Sequence, residues 1–199
     1  MEPIRFGLIV EGHGEVNAAK LLIRRIATEY GFNSTINFEH RRFSRSKLFK
    51  VNELEKVVEH LSRQIGRTQP FLVLVDADDD CPKKFALEFL SRSGLKHSDL
   101  RLSLVLAKME YEAWFIAAAG SLSDLGKLEK GIQAPKDPES IRDAKGWLSK
   151  NMPADQQYVA TRHQAAFSTL MNLEEARQAR SFRKLEKEVC RLLGISSTS

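Results

Sequence analysis

Ile4 to Val10 is a short apolar run that stops at Glu11-Gly12, which predicts a buried strand running into a turn. From Glu15 the spacing becomes helical: Ala18, Leu22 and Ile26 share a face, and Gly31 follows the last turn. Thr35 to Phe43 predicts a second strand of weaker pattern. Asn52 with Glu55 three residues on has the form of a capping box, and Leu54, Val57, Val58, Leu61 and Ile65 make the apolar stripe of the helix that follows, up to Gly66. Phe71-Leu72-Val73-Leu74-Val75 is apolar throughout, as a strand covered on both faces requires, and it runs into Asp76-Ala77-Asp78-Asp79-Asp80. Pro82 stands where a first helical turn tolerates proline, and Phe85, Phe89 and Leu90 carry that helix to Gly94. Leu102 to Leu106 is the fourth strand-like run.

Strands and helices alternate with short connections, so the expected fold class is α/β: a mostly parallel sheet with right-handed crossovers, sandwiched by helices. After Glu110 the strand pattern stops. Helices are expected over 112–119, 137–150 and 163–177, with a last one from Ser181 that buries Phe182, Leu185, Val189 and Leu192 before Gly194. Residues 120–135 read as loop. The division that follows is an α/β core over 1–120 and a helical extension over 121–199 packed on it. No internal repeat or low-complexity segment interrupts this plan.

Composition narrows the class. With 199 residues, 42% of them hydrophobic, one substantial core is expected. No apolar run reaches the roughly 20 residues that span a bilayer. The opening residues turn acidic before the apolar centre of a signal peptide forms. A cytoplasmic protein with no membrane association is therefore expected. Cys81 and Cys190 form no ligand-spaced pair, which argues against a structural zinc site and a disulfide framework. The net charge of +5 is modest, but Arg41, Arg42, Arg45, Lys47 and Lys50 fall together without an acid, interleaved with Phe43 and Phe49. Such a stretch suits phosphate contacts and base stacking; the plainer reading is a solvated basic loop with two buried phenylalanines. Arg41, Arg42, Arg45 and Lys47 are the candidate nucleic-acid contacts.

Three acidic groups occupy equivalent places. Glu11 follows the first strand with Glu15 four residues on; Asp76, Asp78, Asp79 and Asp80 follow the third; Glu110 and Glu112 follow the fourth. The carboxyl ends of strands in an open parallel sheet lie along one edge, so these distant acids would converge. Alternation also turns Asp76 and Asp78 to the same side. Two carboxylates about 4 Å apart repel by roughly 4 kcal/mol at an effective dielectric near 20, so a cluster takes up protons or recruits a cation. All-oxygen donors point to Mg²⁺ or Mn²⁺ and to phosphodiester chemistry. Each group alone has a local explanation: Glu15 favours a helix N-terminus, Asp79-Asp80 cap a helix, and Glu110 and Glu112 are surface acids. Acids directly after three apolar strands are a less accidental pattern.

Val10-Glu11-Gly12-His13-Gly14-Glu15 followed by Asp76-Ala77-Asp78 resembles the Toprim signature of topoisomerases, bacterial primases and overcoming-lysogenization-defect nucleases. The likeness implies a Toprim-like sheet in which Glu11, Asp76 and Asp78 bind Mg²⁺, and the Glu11-x-x-x-Glu15 spacing is nearest to the nuclease branch. Glu11, Glu15, Asp76 and Asp78 are then the catalytic candidates, with Asp80, Glu110 and Glu112 as further metal ligands. The chain also resembles the domain-of-unknown-function family 4276 at VEGHGE, at Asp76 to Pro82, at Glu110 to Phe115, and in the tail at Asp137-Pro138-Glu139, Tyr158, Thr161, Gln164 and Ser181-Phe182. Many Toprim families use a lysine or a further acid for the chemical step, for which Lys108, Glu110 and Glu112 are candidates by position. Related nucleases often work beside an ATPase, which is the implied protein partner.

Other readings compete. Gly12-His13-Gly14 begins a dinucleotide-binding fingerprint, but Asn17 replaces its third glycine and two glutamates flank the phosphate position. No P-loop is present. A strand ending in DxDD also resembles nucleotide-sugar transferases and haloacid-dehalogenase-like phosphatases; the first leaves Glu11 and Glu15 unused, and the second wants the motif after the first strand. A non-catalytic module binding nucleic acid or a nucleotide beside an ATPase is the alternative outside enzymology. His13 is a proton-shuttle candidate or a plain loop histidine. Trp114 and Phe115 read as core, and Arg162 and His163 as a helix start or a phosphate contact.

Overall fold

The computed structural model describes residues 2–44, 47, 50, 52–78, 83–87 and 100–196. The elements run β1 (Ile4–Val10), α1 (His13–Glu29), β2 (Ile36–Arg42), α2 (Glu53–Ile65), β3 (Pro70–Asp76) and β4 (Arg101–Ala107). Then come α3 (Ala113–Ala117), α4 (Ala119–Asp124), a 3₁₀ turn (Pro138–Ser140), α5 (Ala144–Asn151), α6 (Ala160–Leu170), α7 (Leu173–Ala176) and α8 (Arg180–Leu193). Residues 83–87 are also helical. The four strands form one sheet in the order β2-β1-β3-β4, every pair parallel. The α/β expectation holds: a parallel sheet flanked by helices, with helices alone after β4.

The two-residue strand period sorts the core into two layers. Phe6, Leu8 and Val10 of β1 and Leu72 and Leu74 of β3 face α1 and the C-terminal helices. Ile9 of β1 and Phe71, Val73 and Val75 of β3 face α2, where Leu54, Val58, Leu61 and Ile65 meet them. β1 from Phe6 and β3 from Phe71 to Val75 are covered on both sides, which is why these runs are apolar without a polar alternate. Gly7 is forced by this packing, since a Cβ there would lie 2.4 Å from the Phe71 ring.

The helices beyond residue 120 share the first layer: Leu148, Phe167, Met171, Phe182, Leu185, Val189 and Leu192 belong to the same apolar cluster as α1. α6 packs along α1, and α8 lies on β4 and α1. Arg25 of α1 fixes the first contact by donating to the Ser168 and Met171 carbonyls at 2.7 and 2.9 Å, at the C-terminal end of α6. A cation there meets carbonyls that lack helical partners.

Several local expectations change. Asn52 opens α2 with φ 63° and no side-chain cap, so the capping box does not form; a left-handed N-cap departs from the extended geometry that the motif needs. The helix after Glu110 breaks at Ala118, and α4 occupies part of the stretch read as loop. The 137–150 segment is a 3₁₀ turn and then α5, whose start is set by Asp143 accepting from the Gly146 N–H at 2.9 Å. The 163–177 segment is two helices, because the Asn172 side chain caps α7 by accepting from the Glu174 and Glu175 N–H groups. Among the described residues no helix is long and apolar enough to cross a membrane.

Candidate functional site

Three strand ends meet at the carboxyl edge of the sheet. Gly12 caps α1 and Glu15 is the third helical residue, placed so that its carboxylate folds back over the helix start. Oε2 of Glu15 accepts from the N–H of Glu11, the residue before the N-cap, at 3.1 Å. Gly12 leaves room for that fold, as a Cβ would sit 2.8 Å from Glu15 Oε1. The second glycine answers to α6: a Cβ on Gly14 would lie 2.2 Å from Gln164 Oε1 and 2.9 Å from the Ala160 carbonyl. The glycines of VEGHGE therefore serve close packing around a carboxylate.

Asp76 ends β3, and its Oδ1 accepts from the Tyr111 N–H at 2.8 Å, tying that strand to the loop after β4. Asp78 is exposed, with φ 47°, opposite Met109 at φ 61°; the Asp78 N–H donates to the Met109 carbonyl at 2.9 Å. Two non-glycine residues in left-handed conformation thus face one another across the mouth of the site. Glu112 opens α3 and is fully buried, with Oε1 accepting from the Tyr158 hydroxyl at 3.1 Å and from Gln164 Nε2 at 2.9 Å. Lys145 of α5 puts its ammonium 3.2 Å from Glu110 Oε2 and 3.5 Å from Glu112 Oε2. Neither oxygen has an aligned hydrogen bond, so the contact is ionic.

The carboxylates feel one another. Burial pushes Glu15 up to about 7; the Gly12 and Glu11 N–H groups oppose this, and the charges of Glu112 and Glu11 add to it. Asp76 stands well above the usual carboxylate range, first through burial and then through Glu15 and Glu112, with Lys145 and the Tyr111 N–H pulling the other way. Burial also raises Glu112 against the pull of Lys145. Asp76 and Glu112, and Glu15 and Asp76, are therefore electrostatic neighbours although far apart in the chain.

Glu15 gives a pH prediction. Its folded value lies above the ordinary 4.5, so its contribution to stability is full below about pH 4.5 and is lost as pH rises through about 7. Metal-free protein should lose up to about 3 kcal/mol of stability across that window from this group. Urea melts at fixed ionic strength measure it. Glu15→Gln should flatten the profile; an equal slope in that variant assigns the effect to another group.

Of the expected metal ligands, Glu11 is half-buried beside the Glu15 carboxylate, Asp76 and Asp78 lie at the end of β3, and Asp80 lies outside the described residues. Glu110 and Glu112 are turned to Lys145, which their reading as ligands or surface acids did not anticipate. Among the described residues no three His, Cys, Asp or Glu side chains are grouped to hold one ion. Mg²⁺ needs only one or two protein carboxylates, taking its other ligands from water and phosphate. The all-oxygen, mutually repelling donors fit such a substrate-completed site and do not form a preformed cage.

The basic segment abuts this edge: Arg42 pairs in register with Val10, one residue before Glu11. Arg42 and Lys47 are exposed. Arg41 donates to the His40 carbonyl and to Gln64 Oε1, both at 2.8 Å, which anchors it against α2. Arg45 and Phe49 lie outside the described residues. Phe43 is 3% exposed and belongs to the second core layer, so it is not a stacking platform. His13 is exposed at the start of α1. Trp114 and Phe115 are core, as their spacing predicts, and Trp114 Nε1 donates to Ser181 Oγ at 2.8 Å. Cys190 is a buried free thiol, and Cys81 lies outside the described residues.

Lys145 is the residue that sequence reasoning missed. It is one of two lysines on α5, with no spacing that ties it to the strand ends. Tyr158 and Gln164 were marked by the family resemblance alone, and their partner, Glu112, explains that mark.

These features define an α/β protein with a parallel sheet and a buried carboxylate cluster at its strand ends. The chain matches over residues 10–189 the family described as Domain of unknown function (DUF4276), and it belongs to that family. No curated protein and no solved structure matches it.

Proposed function

We propose that this protein is a Mg²⁺-dependent nuclease, or a related phosphodiester-processing enzyme, with a Toprim-like centre acting on nucleic acid. The observation that carries this reading is the meeting of Glu15, Asp76 and Glu112, acids from three strand ends, at one edge, where burial raises all three and the charges of Glu15 and Glu112 press on Asp76. A divalent cation relieves that repulsion. In this reading Glu11, Asp76 and Asp78 hold Mg²⁺ or Mn²⁺, and Glu15 holds the Glu11 backbone in place. Bound there, the ion would supply the charge that activates water and stabilises a leaving oxygen. Arg42 beside Glu11 places a cation where the scissile strand's phosphates would approach.

The test is cleavage of DNA and RNA with Mg²⁺ or Mn²⁺ by the full chain and by Glu11→Ala and Asp76→Ala. Loss of cleavage in both variants supports the enzyme; cleavage unchanged in both attributes it to a contaminant. Binding without cleavage under every metal favours a non-catalytic module beside an ATPase. A Lys145 ion pair that persisted in the presence of Mg²⁺ or Mn²⁺ would favour that second reading, because it would neutralise part of the acidic cluster internally.

Replacing Arg41, Arg42, Arg45 and Lys47 by alanine together should weaken binding and lower the slope of log K against log salt by up to roughly 3 to 4. An unaltered slope removes this segment from the interface.

A further inference from the structure

We propose that Lys145 is a built-in counter-cation of the acidic centre, occupying the inner carboxylates until a divalent ion displaces its ammonium. The inference deepens the metal reading above and rests on it. Its geometry is specific. Lys145 reaches across from α5, and its Nζ lies 3.2 Å from Glu110 and 3.5 Å from Glu112. The two oxygens it faces, Glu110 Oε2 and Glu112 Oε2, are buried without a hydrogen-bond partner, and so is Oε1 of Gln164, whose amide holds the other oxygen of Glu112. Gln164 is 2% exposed and packs against Gly14, between Glu11 and Glu15. Buried oxygens left in this state want a positive centre closer and better directed than a lysine at 3.5 Å provides.

The position of the lysine also accounts for the dispersed donors. Glu112, Glu110 and Asp76 are the three acids that act on Lys145, and together they more than offset the effect of burial and hold it charged. One ammonium therefore answers acids from two strand ends, Asp76 after β3 and Glu110 and Glu112 after β4. Its side chain is 45% exposed, so it has room to swing into solvent, whereas Glu112 is fixed by Tyr158 and Gln164. Displacement then moves the lysine and leaves the acid in place. Free of Glu112, the ammonium would turn to solvent on the exposed side of α5, and Glu110 and Glu112 would be open to the divalent ion.

Binding of Mn²⁺ to the full chain, followed by calorimetry and by the electron paramagnetic resonance of the free ion, tests the competition. Lys145→Met should bind Mn²⁺ at least about tenfold more tightly than the wild type, because a competing charge is removed at close range. Lys145→Arg should remain within about threefold of the wild type, because it keeps the charge. A second readout needs no variant: reductive methylation of Lys145, followed by peptide mass mapping, should accelerate when Mn²⁺ is added. Mn²⁺ binding of equal or lower affinity in Lys145→Met, or a methylation rate unmoved by bound Mn²⁺, overturns the proposal. Failure of the metal reading looks different: neither protein binds Mn²⁺, and the counter-cation role falls with it.

Discussion

Asp76→Asn should abolish Mg²⁺-dependent cleavage while making the protein more resistant to heat. The asparagine keeps an oxygen where Oδ1 accepts the Tyr111 N–H, so the link between β3 and the loop after β4 survives. What it loses is a negative charge that burial, Glu15 and Glu112 all disfavour. A ligand lost from a site with few protein donors should lower the rate by on the order of 100-fold or more. Relief of a buried like-charge contact should raise the melting temperature at pH 7, by roughly 2–4 °C for each kcal/mol gained in a chain of this size. The pairing of outcomes carries the weight. Cleavage at the wild-type rate in a more stable Asp76→Asn would sink the metal-ligand role, and a loss of both would mark Asp76 as structural.

The sheet was legible because its two inner strands are apolar at the positions that face either layer, from Phe6 to Val10 and from Phe71 to Val75, and each run ends directly in an acid. The convergence of Glu11, Glu15 and Asp76 was legible too, since parallel strands put all their carboxyl ends on one edge. The helical half was read less well. Local side chains set its boundaries: Asp143 and Asn172 start helices by capping, and Ala118 breaks one between two buried faces. A stripe of apolar residues does not record those events. Glu110 and Glu112 show the same limit at the site. Their spacing announces acids near a strand end, but only the docking of α5 and α6 decides that Lys145, Tyr158 and Gln164 meet them. A pattern local to one strand cannot carry a contact supplied by a helix dozens of residues away.

Glu112→Ala is the substitution expected to destabilise the fold most among the site acids. The carboxylate is fully buried, and its removal strands the Tyr158 hydroxyl and the Gln164 amide, both buried donors, and takes one of two acids from Lys145. Leaving two buried donors unmet costs about 1–3 kcal/mol each, while Lys145, 45% exposed, turns to water at little cost. The melting temperature should fall by roughly 10 °C, at about 2–4 °C per kcal/mol. Glu110→Ala is the internal comparison, because that side chain is 21% exposed and retains solvent near its partner; its cost should stay near 1 kcal/mol. Glu112→Gln should fall between the two, since its oxygen still accepts from Tyr158 but presents no charge to Lys145. Equal melting of the Glu112→Ala and Glu110→Ala proteins would mean that the Tyr158–Glu112–Gln164 network is not what holds α6 to the strand ends. The carboxylate would then be kept for the cation alone.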